Sequence, residues 1–316
     1  MTSTVFIDGK EGTTGLRIFD RLQSRKDINV LTLPEELRKD AAARQEAIRS
    51  ADIAILCLPD AAARESVALA EGSTTRILDT STAHRVATGW TYGFPEIRLN
   101  RREEIAKSSR VAVPGCHASG FIAIAAPLVA AGLISSDEML SCFSLTGYSG
   151  GGKKMIAQYE AAERDNALDA PRQYGLTQIH KHLPEMQQIS GLTHAPIFAP
   201  VVADYYSGME VTVPLFRSQV NCVHPMQDVT ECLKAHYAGS HVVTVLTAEE
   251  VAAQNGFIAA NAMSGLDSMK IMVLGNDDRL QIVSLFDNLG KGSSGAALQC
   301  LNLMLGVDEL TGLAIK

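Results

Sequence analysis

Cys116 lies in the stretch VAVPGCHASGF, after an apolar run of strand character and a Pro-Gly pair, and just before a helical pattern. A thiol at such an elbow sits at a helix N-terminus, where unpaired N–H groups and the helix dipole favour thiolate and can hold an oxyanion. Ser119 is placed to cap that helix. A buried structural cysteine is the bland alternative, and the Pro-Gly elbow makes it the poorer reading. A thiolate that carries an acyl group needs a neighbour that gives and takes protons near neutrality, and histidine suits both roles. The stretch HKHLPEM supplies His180 and His182 on either side of Lys181. If extended, it would put both imidazoles on one side and the lysine on the other. Two histidines two residues apart could also ligate a metal, but no third ligand of suitable spacing accompanies them, so no metal is expected. His117 is set apart from the other histidines only by its position.

A second kind of chemistry is written in the glycines. Directly after the first apolar run comes GKEGTTG, with Gly9, Gly12 and Gly15 spaced GxxGxxG around Thr13 and Thr14, and the helical pattern LRIFDRL follows at once. Strand, glycine turn and helix start make a pyrophosphate cradle, because small residues let backbone N–H groups approach an anion. After the second strand, Pro34-Glu35-Glu36-Leu37-Arg38-Lys39 offers an acid for a ribose hydroxyl and cations for a 2′-phosphate, so these residues leave NAD and NADP open. Further glycine turns lie in YSGGGKK (148–154) and DNLGKGSSG (287–295); each can bind an anion or simply turn the chain. Arg85, Lys153, Lys154 and Lys181 are cations available to a substrate phosphate or carboxylate.

The elements that must position these residues change character along the chain. Residues 1–115 alternate short strand-like runs (TVFI, NVLTL, IAILCLP, RILDT, RVAVP) with helical segments, which implies a parallel sheet covered by helices. Beyond Cys116 a helix is followed by alternating runs such as MEVTVPLF and HVVTVLT, and by KIMVL and LQIVSLF joined through GNDD, which predict an antiparallel sheet with one open face. The segment Ser293 to Leu305 has helical spacing and stops at Gly306; it is expected to return to the first domain. The domains expected are therefore 1–115 plus 293–316, and 116–292.

Composition narrows the partners. With 316 residues and 46% hydrophobic content the chain can bury a large core. A net charge of −7, without a basic run or a basic–aromatic stripe, argues against nucleic acid and anionic membrane. The longest apolar stretch, Phe121 to Ile134, is too short for a membrane span and contains Pro127 and Gly132. The start of the chain lacks a secretory pattern, and the six cysteines show no CxxC pair or disulfide spacing, so reduced thiols and a cytoplasmic location are expected.

Taken together, the ordered motifs GKEGTTG, LDTSTAHR with YGFPE, PGCHASG, TGYSGGGKKMI, YGLTQIHKHLPEM, GMEVTVPL and FDNLGKGSSGAALQCLNLMLG resemble the N-acetyl-gamma-glutamyl-phosphate reductase family of arginine biosynthesis, in its shorter subfamily. The resemblance implies α/β plus α+β architecture: a Rossmann-like nucleotide-binding domain with a catalytic domain like that of glyceraldehyde-phosphate dehydrogenase. It implies NADP as cofactor, a homodimer or homotetramer, and reduction of an acyl phosphate through a cysteine thioester. Carried over residue by residue, it puts the nucleophile on Cys116 and the acid/base pair on His180 and His182, with His180 favoured. It places Asn288 near the nicotinamide and asks for cations near the histidines; the cofactor contacts expected are then Gly9, Gly12, Thr13, Thr14, Gly15, Ser81, Gly150, Gly151 and Asn288, and the substrate contacts, chosen as cations for an anion, are Arg85, Lys181 and Lys153. The chain departs from the family's usual GATGYTG at Lys10 and Glu11, and from CYPT at His117-Ala118-Ser119. Three rivals remain: a reductase of aspartyl or N-acetyl-aminoadipyl phosphate, a non-catalytic NADP-binding regulator, and a thiol hydrolase, the last of which has no use for a dinucleotide loop.

Overall fold

Alternating apolar residues in the first strands have two destinations, and that alone dictates layers on both faces of a sheet. The computed structural model describes residues 2–315 and divides them into two units. The first comprises residues up to Pro95, Asn100–Pro114 and Ser293–Leu313. Its elements run β1 (Ser3–Asp8), α1 (Thr13–Gln23), β2 (Ile28–Leu31), α2 (Ala41–Ser50), β3 (Ile53–Leu56), α3 (Asp60–Leu69), β4 (Arg76–Asp79), β5 (Thr91–Tyr92), α4 (Arg101–Lys107) and β6 (Arg110–Ala112). All six strands are parallel, in the order β2-β1-β3-β4-β6-β5. Val5, Ile7, Ile53 and Ile55 point into one core with α1 and α4, while Phe6, Ala54 and Leu56 point into the other with α2 and α3.

The second unit comprises Glu96–Leu99, Gly115–Gly292 and the C-terminal residues from Ala314. Here α5 (Cys116–Ala130) is followed by β7 (Ser141–Gly147), α6 (Gly152–Tyr159), β8 (Arg172–Gln173), α7 (Leu183–Ser190), β9 (Ile197–Ala203) and β10 (Met209–Phe216). Then come α8 (Pro225–Tyr237), β11 (Val243–Val245), α9 (Ala248–Ala252), β12 (Met269–Asn276) and β13 (Arg279–Phe286). A π-helical turn, Gly290–Ser294, leads into α10 (Gly295–Leu305), whose residues from Ala296 to Met304 join the α1/α4 core of the first unit.

The seven strands are ordered β11-β12-β13-β10-β7-β9-β8. The sheet is mixed, correcting the antiparallel expectation: β7 runs parallel to β9 and β11 parallel to β12. In each case a helix, α7 or α9, lies in the connection between strands or beside it, and a crossover of that kind returns the chain in the same direction. The hairpin read from GNDD is present: Asn276 faces Arg279 across Asp277-Asp278, and Asn276 Oδ1 accepts from both Asp278 N and Arg279 N. One face of the sheet carries α5 and α8; along β10 Met209, Val211, Val213 and Leu215 are buried. Helix α5 is buried from His117 through Leu128, which explains its apolar composition on every side. On the opposite face of the sheet Phe143 and Ile197 are exposed. Among the described residues no helix is long and apolar enough to cross a membrane.

Candidate active site

In the first unit the glycine loop closes the step from β1 to α1. Gly9 has φ +87°, and a Cβ there would lie 2.5 Å from the Cys57 carbonyl oxygen; a Cβ on Gly15 would lie 2.5 Å from the Gly9 oxygen. Both positions therefore demand glycine. A Cβ on Gly12 would meet nothing nearer than 3.8 Å, so the loop is open on that side. Gly12 begins α1 without a side-chain cap, and Thr13 Oγ1 is buried with no hydrogen-bond partner. A buried hydroxyl beside uncapped helix N–H groups fits a phosphate oxygen, which would satisfy both. Thr14 Oγ1 instead meets Ser293 Oγ at 3.0 Å. A cleft of about 150 Å³ beside the loop is lined by Asp8, Gly9, Lys10, Thr32, Glu35 and Arg38, so the two ends of the strand pair read from the sequence do converge.

Other expected contacts are engaged within their own unit. Ser81 Oγ donates to Asp79 Oδ2 at 2.7 Å and accepts from Ala83 N, shaping the turn after β4. Arg85 donates to the carbonyls of Val113 and Thr80, and is buried in that role. In the second unit Gly150 and Asn288 are brought together: a Cβ on Gly150 would lie 3.3 Å from Asn288 Nδ2. Asn288 donates to Ser149 Oγ and accepts from Gly208 N, bracing the turn that contains Gly150 and Gly151. Lys153 and Lys154 lie on the exposed side of α6, and Lys181 is exposed too.

Cys116 is the first residue of α5 and partly exposed. Ser119 does not cap the helix: its hydroxyl donates backward to the Gly115 carbonyl at 3.0 Å, the usual choice for serine one turn into a helix. The N–H of Gly115, at the N-cap, is instead met at 3.1 Å by the buried carboxylate of Glu185. A Cβ on Gly292 would come within 3.0 Å of Cys116 Cβ, so the π-helical turn needs a bare backbone where it passes the cysteine.

The two histidines converge by a different route from the extended strand expected. The segment turns: His182 N donates to His180 Nδ1 at 3.2 Å, Leu183 N bonds the His180 carbonyl, and α7 begins. The imidazole centroids end 4.7 Å apart. Because His180 Nδ1 accepts a backbone N–H, its neutral ring carries the proton on Nε2. His182 is buried, with Nε2 3.9 Å from Glu185 Oε1.

His117, set apart in the sequence by position alone, proves central to this cluster. Its ring lies 5.9 Å from His180 and 5.5 Å from His182, with Nδ1 2.6 Å from Ser144 Oγ and Nε2 2.6 Å from the Tyr174 hydroxyl. Burial, then the charges of His180 and Lys181, push its pKa down from 6.5 to about 3. Glu185 was within reach of sequence reasoning, as the residue one helical turn beyond His182. Ser144 was not, since nothing local ties a strand serine to a helix histidine.

The unfolded chain protonates His117 before the native state does, so its contribution to stability is full above pH 6.5 and is lost as the pH falls toward 3. Between pH 6.5 and pH 4.5 this one group is expected to cost about 2 kcal/mol, the slope rising toward roughly 1.36 kcal/mol per pH unit once the unfolded imidazole is charged. Urea unfolding across that range should show a shallower pH dependence for His117→Gln than for the parent. Identical slopes would assign the acid sensitivity elsewhere.

The family described as semialdehyde dehydrogenase, NAD binding domain, matches residues 15–108, and that described as semialdehyde dehydrogenase, dimerisation domain, matches residues 116–288. A protein of Brucella ovis named N-acetyl-gamma-glutamyl-phosphate reductase is 47% identical over 310 residues, 97% of this chain and 100% of its own. The reductase of Brucella canis matches to the same extent. The chain belongs to the N-acetyl-gamma-glutamyl-phosphate reductase family. Its fold is shared with aspartate semialdehyde dehydrogenases at low identity. The Vibrio cholerae enzyme II aligns with TM-score 0.70 at 14% identity over 97% of this chain and 99% of its own. The Francisella tularensis enzyme aligns with TM-score 0.71 at 14% identity over 96% and 100%. Family membership agrees with the resemblance read from the ordered motifs, and the dimerisation domain indicates a homo-oligomer.

Proposed function

We propose that this protein reduces N-acetyl-L-glutamyl 5-phosphate to N-acetyl-L-glutamate 5-semialdehyde and phosphate with NADPH, as a step of arginine biosynthesis. The observation that carries the reading is the near full-length identity to reductases of that name, in a chain whose cysteine heads a helix beside a histidine cluster. Residues 1–115 with 293–316 serve the cofactor, held at Gly9, Gly12, Thr13, Thr14 and Gly15, and residues 116–292 serve catalysis. The open sheet face bearing Phe143 and Ile197 pairs two copies, in the cytoplasm, as a homodimer or a pair of dimers.

The Cys116 thiolate attacks the acyl carbon, the C–O bond to phosphate breaks, and a thioester remains on sulfur. NADPH, which the glycine loop at Gly9, Gly12 and Gly15 would hold, would supply the hydride that this carbon accepts. His180, with its proton on Nε2, donates to the oxygen that becomes negative and takes the proton back as the C–S bond breaks, returning Cys116 to thiolate. The N–H groups at the start of α5 hold the oxyanion in both halves. Glu185 orients His182, and Lys181 and Lys153 offer charge to the substrate phosphate or carboxylate.

In the reverse direction, N-acetylglutamate semialdehyde with inorganic phosphate and NADP is expected to produce reduced cofactor, followed by its absorbance. Preference for aspartate or N-acetyl-aminoadipate semialdehyde would overturn the substrate. His180→Ala is expected to lower kcat by about 10²–10⁴-fold, and His182→Ala by less. Loss confined to His182→Ala would reverse the two roles.

A further inference from the structure

The strand that leads toward the histidines stops short, and a side chain finishes it. β8 pairs antiparallel with β9 at Arg172↔Val202 and Gln173↔Val201, and Tyr174 N then donates to the Pro200 carbonyl at 3.0 Å. An antiparallel ladder exchanges its main-chain bonds at every second pair, so the next such pair would join residue 176 to Phe198. The chain leaves β9 before reaching it. Gly175 has φ +64°, and a turn closes in which Gln178 N donates to the Gly175 carbonyl at 3.0 Å. The Gln178 side chain reaches back instead: Nε2 donates to the Phe198 carbonyl at 2.8 Å, and Oε1 accepts from Phe198 N at 2.9 Å. A primary amide carries the donor and the acceptor of a peptide group, so it supplies both bonds that residue 176 would have made.

This clip persists against local strain. Gln178 sits at φ +57°, where residues with a Cβ are rare; among the described residues Asn255 is the other non-glycine with positive φ. His180 follows two residues later, and its ring meets the Phe198 ring edge-on with centroids 5.0 Å apart. Phe198 is buried and packs on His117 as well, at 5.2 Å. A single residue of β9 thus takes the clip through its main chain and the imidazole through its side chain. The far end of the turn is fixed by the bonds from His182 N to His180 Nδ1 and from Leu183 N to the His180 carbonyl. We propose that Gln178 is a positioning residue for His180, its side-chain amide pinning the histidine-bearing turn to the edge of β9. This rests on His180 being the acid/base group proposed above, since Gln178 acts through it.

Kinetics of the full-length protein with N-acetylglutamate semialdehyde, inorganic phosphate and NADP test the pin. Gln178→Ala and Gln178→Gly are both expected to lower kcat by about 10-fold, with KM for the semialdehyde within about twofold of the parent. Glycine takes a positive φ without strain, so Gln178→Gly loses the amide while easing the backbone. Parental kcat in Gln178→Gly beside a slow Gln178→Ala would trace the effect to the backbone and overturn the proposal, as would parental kcat in both. In a His180→Ala background the same two changes are expected to lower kcat by less than about twofold, because a residue that acts through His180 has nothing left to position. A further loss there as large as in the parent overturns the pin and leaves Gln178 a general structural residue. If His180→Ala alone turns over at the parental rate, the acid/base assignment has failed and the pin falls with it, a result distinguished by a variant in which Gln178 is untouched.

Discussion

Cys116→Ser is expected to lower kcat for phosphate-dependent reduction of NADP by at least about 10³-fold while leaving the fold intact. Serine matches cysteine closely in shape and keeps the same Cβ, so the bare backbone of Gly292 still passes it and the start of α5 has nothing to rearrange. What changes is the chemistry. A hydroxyl is not deprotonated by a helix terminus at neutral pH, and an oxygen ester resists both hydride addition and expulsion of the enzyme group better than a thioester does. The loss corresponds to about 4 kcal/mol of transition-state stabilisation. Unfolding in urea should be unchanged within about 1 kcal/mol. Retained turnover would remove the thioester from the mechanism.

The second large effect is one of stability. Lys291 is fully buried in the π-helical turn, and its Nζ lies 2.7 Å from Oε2 of Glu96, itself almost fully buried. The main-chain carbonyl of Glu96 accepts from His236 Nε2 at 2.9 Å, so the acid is anchored from a second side. Lys291→Met would take the ammonium from beside a buried carboxylate, at a cost of about 3–5 kcal/mol. The double change Glu96→Leu with Lys291→Met should recover much of that, because it removes the buried carboxylate together with the cation that faces it. Urea unfolding of the three variants reads this directly. A single-variant cost below about 1 kcal/mol would mean that water reaches the pair. Activity should fall with Lys291→Met as well, since the same turn carries Gly292 past Cys116.

These two predictions differ in how far the sequence foretold them. The Cys116 elbow and the loop at Gly9, Gly12 and Gly15 were legible because each is local: a strand, a tight turn and a helix start follow within about a dozen residues, and backbone sterics fix the meaning of each glycine. The β12–β13 hairpin was legible for the same reason. Parallel pairing of β7 with β9 was not, because the intervening helix and turns decide the direction of return. The ion pair of Glu96 with Lys291 spans 195 positions and leaves no periodic trace. His180 and His182 were found as a pair for their chemistry, yet the turn that joins them through His182 N and His180 Nδ1 is opposite in kind to the strand assumed. His117 was passed over because its importance comes from Ser144 and Tyr174, 27 and 57 positions away.

One feature of the architecture bears on how copies of the chain can meet. Both sheets taper: the six-stranded sheet ends in Thr91–Tyr92 and Ile28–Leu31, and the seven-stranded sheet in Arg172–Gln173 and Val243–Val245. Rims of two to four residues offer too few main-chain groups to template an added strand. Association is thereby steered away from open-ended stacking, which lengthens into fibres, and toward closed pairing across a flat surface, which stops at a fixed number of subunits. On the pairing proposed above, a short β-forming peptide would be a poor agent for prising the assembly apart, whereas a single charge set among Phe143 and Ile197 would be an effective one.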